Sequence, residues 1–240
     1  MTCPVREVSA PEDLVGLYSD APDGIRVNMI LSLDGCAAFD GVAGPLSNQC
    51  DQNLLLALRG YADVVLVGAG TVRAEGYGPV SLTAAQQAHR WERFGVETPP
   101  PIAVVTRTGE IPASLFGDSA ERPILITTAE LARTRPDLLD RADMLIAGKT
   151  MVDISAAVER LRARGFRRIL CEGGPTLLDE LTAAEVVDEI CLTISPTLAA
   201  DAGPQRIGAR LRVPARLKLA HAVSVGDDLY LRYRRESVTT

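Results

Sequence analysis

Short aliphatic runs punctuate this chain at residues 25–33, 63–67, 102–106, 123–127, 144–147, 168–171, 189–195, 217–225 and 229–234, and stretches of helical period fill most of the intervals between them. Strands alternating with helices select the α/β class, in which one sheet is covered by helices packed on its faces. The clearest helix is 154–164, where Ile154, Ala157, Val158 and Leu161 recur at i, i+3, i+4 and i+7 between Asp153 and Gly165. Residues 48–59, with Leu54, Leu55 and Leu58, and residues 175–182, opening on Pro175, read as crossovers between strands. The last two runs are joined by Gly226-Asp227-Asp228, a hairpin signal, so the expected sheet is mixed with an antiparallel end. A polar stretch between Gly76 and Pro101 contains a short helix at 84–94 and reads as an insertion. The expected organisation is a single domain over 24–236, preceded by an N-terminal extension over 1–23.

Composition removes several function classes. The chain has 240 residues, with 25 Lys+Arg against 31 Asp+Glu for a formal charge of -6, and so lacks the basic footprint of a nucleic-acid binder. Five cysteines (Cys3, Cys36, Cys50, Cys171, Cys191) form no CxxC pair, and the histidines are His89 and His221, which argues against a zinc site. Cys171 and Cys191 lie in apolar runs and read as small buried thiols in a reducing compartment. No signal-like segment opens the chain, and no run approaches the roughly 18 apolar residues of a membrane span, so the expected location is the cytoplasm.

Chemistry is expected where glycine-rich turns follow strands. The first is Ser32-Leu33-Asp34-Gly35, the second Gly68-Ala69-Gly70-Thr71-Val72-Arg73, and the third Glu172-Gly173-Gly174-Pro175-Thr176-Leu177. The second lacks the third glycine of GxGxxG and has no suitably placed acidic residue, which speaks against a Rossmann domain. In the third, two glycines leave the backbone open, Pro175 starts a helix and Thr176 adds a hydroxyl, an arrangement suited to a pyrophosphate. A plain tight βα turn is the alternative from this segment alone.

Four segments carry a family resemblance: V-N-M-I-L-S-L-D-G (27–35), L-R-G-Y-A-D-V-V-L-V-G-A-G-T-V-R-A-E (58–75), I-L-C-E-G-G-P-T-L-L (169–178) and V-V-D-E-I-C-L-T-I-S-P-T-L (186–198). In order and spacing the chain resembles the reductase domain of the bacterial bifunctional deaminase–reductase of riboflavin biosynthesis. The resemblance implies a dihydrofolate-reductase-like fold, NADPH as hydride donor, a homodimer, and a pyrimidine substrate, usually 5-amino-6-(5-phosphoribosylamino)uracil. The H-x-E and P-C-x-x-C motifs of the deaminase are not present, so only the reductase is implied.

Carried onto this sequence, the family pattern places Gly70, Thr71 and Glu75 at the nicotinamide side of the cofactor, with Glu75 where the family usually has Asp. Gly173, Gly174, Pro175, Thr176 and Leu177 match the pyrophosphate turn, and Thr106 and Arg107 the adenosine end. Arg107 is either a partner for the 2′-phosphate or a solvated loop arginine. Glu172 matches an acidic residue at the substrate ring, or is a helix N-terminal carboxylate. Arg59 matches an arginine near the substrate phosphate, or is a helix-end cation. Asp34 reads as a substrate contact or an Asp-Gly turn residue. Asp51 is a candidate proton donor, since dihydrofolate reductases carry a pterin-contacting carboxylate on the corresponding helix; the alternative is a first-turn dipole residue.

One departure stands out. Family members usually continue past Thr-Val-Arg-Ala with D-x-P-x-L-T-x-R, whose arginine serves the substrate phosphate. Here Glu75-Gly76-Tyr77-Gly78-Pro79-Val80 follows, with no arginine at that spacing, so phosphate binding is expected to be weakened or replaced. The rival readings are dihydrofolate-reductase-like activity on a pterin and a non-catalytic NADPH-binding regulatory protein.

Overall fold

In the computed structural model, which describes residues 6–8, 11–117, 121–200 and 216–236, the strands form one ten-stranded sheet. They are β1 (Arg6–Glu7), β2 (Gly24–Leu31), β3 (Val64–Gly68), β4 (Ile102–Val105), β5 (Ile124–Thr127), β6 (Asp143–Ile146), β7 (Arg168–Cys171), β8 (Glu189–Ile194), β9 (Lys218–Val225) and β10 (Asp228–Arg234). Their order is β1-β9-β10-β8-β2-β7-β3-β4-β5-β6. Strands β8, β2, β7, β3, β4, β5 and β6 run parallel, and β10 lies antiparallel between β8 and β9. The mixed sheet with its C-terminal hairpin is therefore present. The hairpin turn is shorter than the sequence suggests, because Asp228 already pairs with Val225 and only Gly226 and Asp227 remain outside the ladder.

The helices are α1 (Pro11–Gly16), α2 (Gln49–Gly60), α3 (Ala69–Ala74), α4 (Ala84–Phe94), α5 (Ala129–Thr134), α6 (Ile154–Ala163) and α7 (Pro175–Ala183). Both sheet faces are covered. Val65, Val67 and Leu170 pack beneath Leu54 and Leu58 of α2, while Val64, Leu66 and Ile169 pack against Val158 and Leu161 of α6 and Leu177, Leu178 and Leu181 of α7. Strands buried on both sides need apolar residues at every position, which is why VVLV reads as a continuous run with no alternation. Cys171 and Cys191 are buried, and burial pushes both thiols up, that of Cys171 to about 12.

Two short elements escape a periodicity reading because they are too brief to show one: α3, which follows β3 without a loop, and α1. The segment around α1 is tied firmly to the sheet. Leu14 and Tyr18 are fully buried, and β1 pairs in parallel with β9. Arg26 and Arg232 donate to the carbonyls of Leu17, Tyr18 and Asp20, while Glu189 accepts from Arg232 and Arg234 and pairs with Arg26. Each buried charge thus meets an opposite charge, without which its desolvation would be costly. The 76–101 segment likewise packs against the sheet-bearing core: α4 is capped by Thr83, and Arg90 reaches back to the carbonyls of Gly60 and Ala62.

Candidate active site

A cavity of about 1000 Å³ opens at the C-terminal ends of β2, β7, β3 and β4, where ligands bind in parallel α/β sheets. One half is built from backbone. Helices α2, α4, α5 and α6 are capped by the side chains of Asn48, Thr83, Thr128 and Asp153, whereas α3 and α7 start on Gly68 and Gly174 with no side-chain cap. The nine-residue α7 therefore keeps first-turn N–H groups and its positive dipole end available beside the cavity. The second and third glycine turns interlock: Gly68 N donates to Gly173 O at 2.8 Å, and the Gly173–Gly174 peptide is cis. Gly173 has φ of +80°, and a Cβ there would stand 2.8 Å from Met29 Sδ; a Cβ on Gly174 would stand 2.6 Å from Thr71 Oγ1. No other residue type fits that junction unchanged.

The other half is built from side chains. Asp51, Leu55 and Arg59 recur every fourth residue on α2, so one stripe of the helix faces the cavity. Arg59 grips Glu172 through two bonds of 2.7 Å, from Nε to Oε1 and from Nη2 to Oε2, and Tyr77 donates its hydroxyl to Oε2 at 2.6 Å. The Arg59 guanidinium also lies 5.3 Å from the Tyr77 ring centroid. Burial opposes the Arg59 charge, but the bonds and charge of Glu172 outweigh it and hold the guanidinium above its ordinary pKa. Burial, then the Glu172 charge, push the Tyr77 phenol well up.

Asp51 is 7 % exposed, and each of its oxygens accepts a hydroxyl at 2.7 Å, Oδ1 from Thr193 and Oδ2 from Ser47. Asn48 accepts from the Asp51 backbone at 3.0 Å and donates to Asp228 at 2.7 Å. Burial, and then the Asp51 charge, raise the Asp228 carboxyl. Glu75 accepts from Ala43 N at 2.6 Å, joining α3 to the 36–47 loop across the cavity mouth.

The cavity thus gathers Asp51, Arg59, Gly70, Thr71, Glu75, Thr106, Arg107, Glu172, Gly174, Pro175, Thr176 and Leu177, with Gly173 directly behind. Thr106 is buried and accepts from Gly109 N at 3.0 Å, shaping the turn after β4, while Arg107 is exposed with Nη1 3.9 Å from Met151 Sδ. Asp34 is not among the lining residues. Its carboxylate accepts from the Ser32 hydroxyl and from Ala199 N and Ala200 N at 3.1 and 2.8 Å, tying the first glycine turn to the segment after β8.

Those bonds, the Ser32 bond foremost, lower the Asp34 carboxyl from 3.8 to about 2. A depressed acid adds stability above its unfolded pKa and loses it as pH falls through the folded value. Asp34→Asn is therefore expected to melt below wild type near neutrality, with the gap narrowing from about pH 4 down toward about pH 2, as thermal unfolding across that range would show.

Sequence reasoning passed over Asn28, Ser47, Thr193 and, as a site residue, Tyr77. Asn28 and Thr193 did carry a signal, each being a polar residue within an apolar strand run, and Tyr77 lies in the segment that departs from the family pattern.

A 2,5-diamino-6-ribosylamino-4(3H)-pyrimidinone 5′-phosphate reductase of Archaeoglobus fulgidus is 29% identical over 72% of this chain and 80% of its own. Among solved structures, a pyrimidine reductase-like protein from Corynebacterium diphtheriae aligns with a TM-score of 0.79 at 27% identity, over 96% of this chain and 100% of that one. An Enterococcus faecalis dihydrofolate reductase aligns at 0.50 and 12% identity, over 89% of this chain and 97% of its own, a likeness of fold. The dihydrofolate-reductase-like architecture expected from the sequence is thus present, and the model of the RibD C-terminal domain matches residues 24–231: the chain belongs to that family.

Proposed function

We propose that this protein is an NADPH-dependent reductase converting a ribosylamino-pyrimidine 5′-phosphate to its ribitylamino counterpart. The observation that carries the reading is the pairing of two half-sites in one cavity: uncapped α7 with its glycine junction on one side, and the Asp51–Leu55–Arg59 stripe on the other. A dinucleotide fits the first half, because the glycines leave the backbone bare and free N–H groups favour a pyrophosphate. When bound, the cofactor supplies the hydride; the chain's own residues orient the two reactants and exclude water. Arg107, an exposed residue of the cavity lining, would meet a 2′-phosphate with its forked donors.

On the substrate side, an ionised carboxylate only accepts hydrogen bonds. Asp51 has spent one acceptor site per oxygen and Glu172 has answered three donors, so Asp51 retains more capacity for a substrate N–H edge and for relaying a proton taken up from water. Glu172 instead holds Arg59 and Tyr77 in place. A 2-amino-4-oxopyrimidine offers adjacent N–H donors to such an acceptor, whereas the uracil presents a carbonyl there. The diaminopyrimidinone, the compound in the name of the Archaeoglobus fulgidus relative, is therefore preferred over the uracil suggested by the sequence alone.

NADPH oxidation assayed with the diaminopyrimidinone, the uracil and dihydrofolate tests this reading. Turnover is expected to be highest on the diaminopyrimidinone; activity confined to dihydrofolate, or NADPH binding with no turnover on any of the three, would refute it. Because the Arg59 charge is already balanced by Glu172 and the 76–80 segment brings no arginine, removing the substrate's phosphate should raise KM by less than about tenfold, below the roughly 1.4 kcal/mol that tenfold represents.

A further inference from the structure

We propose that Asp228, a residue outside the cavity, is a positioning residue for the reaction: through Asn48 it holds the N-terminus of α2, and with it the Asp51 carboxyl. The inference rests on the reductase reading above, with Asp51 as its proton relay. Asp228 opens β10 directly after the hairpin turn, where an aspartate ordinarily folds its carboxylate back onto the turn backbone. Here it does not. Among the described residues its carboxylate accepts from Asn48 Nδ2 alone, at 2.7 Å and across 180 positions of sequence. Asn48 is engaged at its other end too, because its Oδ1 accepts from Asp51 N at 3.0 Å as the N-cap of α2. One carboxamide therefore links the hairpin to the helical turn that carries Asp51.

The same sheet face supplies a second hold. Tyr230 lies two residues along β10, hence on the side of Asp228, and is in register with Thr193 of β8, whose hydroxyl donates to Asp51 Oδ1 at 2.7 Å. Ser47, just before the cap, donates to Oδ2 at 2.7 Å. Thr193 and Ser47 thus fix the carboxylate oxygens, while Asp228 and Asn48 fix the backbone that carries them. Asp51 lines the cavity and neither Asn48 nor Asp228 does, so the path from Asp228 to a bound substrate runs through Asp51.

Folding alone is a poor reason for this residue. Asp228 is buried, pairs with no Lys or Arg among the described residues and stands near a second carboxylate, an arrangement that costs stability. Burial, then the Asp51 charge, push its carboxyl up; Asp227 of the turn adds to this, and the Asn48 bond opposes it. The other titratable groups facing it are the Cys50 thiol of α2 and the Tyr230 phenol, both raised by burial and so uncharged near neutrality. The charges that act on Cys50 are Asp51, Asp228 and Glu12 of α1, all acids. Two carboxyls that disfavour each other's ionisation titrate as a pair, so removing one displaces the titration of the other.

Asp228→Ala removes the bond, whereas Asp228→Asn keeps an acceptor for Asn48 without the charge. Asp228→Ala is expected to lower kcat on the diaminopyrimidinone phosphate about tenfold or more, the order for a misplaced reacting group, with KM within about threefold and NADPH affinity within about twofold. Asp228→Asn is expected to recover most of that kcat at its optimum, while the fall of kcat on the alkaline side, where the relay acid loses its proton, moves to lower pH. A kcat within about twofold of wild type in Asp228→Ala overturns the proposal. So does an unmoved alkaline limb in Asp228→Asn, which also decides the matter if Asp228→Ala fails to fold; lower melting temperatures with unaltered kinetics would leave Asp228 a hairpin residue only. If the wild-type protein does not reduce the pyrimidine at all, the reductase reading falls instead. Carbon-13 NMR of the Asp51 carboxyl then decides Asp228 alone: a titration moved to lower pH in Asp228→Asn supports the link, and an unmoved one excludes it.

Discussion

Asp51→Asn is expected to lower kcat by about 10²–10⁴-fold, the range for losing a positioned general acid or base, while the protein still folds and binds NADPH. The substitution keeps shape, and the hydroxyls of Thr193 and Ser47, which now donate to the carboxylate at 2.7 Å, are rotors able to accept from an amide instead. What disappears is a titratable oxygen inside the cavity. If Asp51 were merely a first-turn carboxylate favoured by the α2 dipole, the change would cost about 0.3–1 kcal/mol of stability and leave kcat alone. Steady-state kinetics beside thermal melts therefore separate the two roles, and an unaltered kcat would remove Asp51 from the reaction.

The second large effect is expected at Gly174. Its φ of -75° is open to any residue, so Gly174→Asp places no strain on the backbone torsions, and the new Cβ meets only the Thr71 hydroxyl. The carboxylate, however, would enter the anion site at the start of α7. Two like charges about 4 Å apart repel by about 4 kcal/mol at an effective dielectric near 20, so NADPH affinity should fall by about 100-fold or more. Gly174→Ala isolates the steric part and should lose much less. Fluorescence titration of NADPH gives both values. Wild-type affinity in a folded Gly174→Asp protein would move the pyrophosphate away from this turn.

The glycine turns illustrate how far local sequence reaches. Strand, glycine pair, proline and threonine in succession identify an exposed helix N-terminus at Gly174, because each residue acts on its own backbone. The same local logic places α6 between Asp153 and Gly165. It does not extend to the interlock of Gly68 with Gly173, or of Thr71 with Gly174, which depends on β3 and β7 being neighbours.

Side-chain roles were less legible. Arg59 and Glu172 lie 113 positions apart, and each alone reads as a helix-end charge; together they form a bidentate pair closed by Tyr77, a single anchor at the cavity wall. Asp34 shows the opposite outcome, since the turn chemistry that made it a plausible contact is used to hold Ala199 and Ala200.

By itself the sequence determined the α/β class, the mixed sheet, the antiparallel end and the family, because hydrophobic period, turn residues and motif order are properties of the chain read in one direction. Only the tertiary structure decided which acid keeps free acceptor capacity and which arginine is already paired. Those are questions of which polar groups satisfy one another, and in a buried site the answer is set by neighbours more than a hundred residues away.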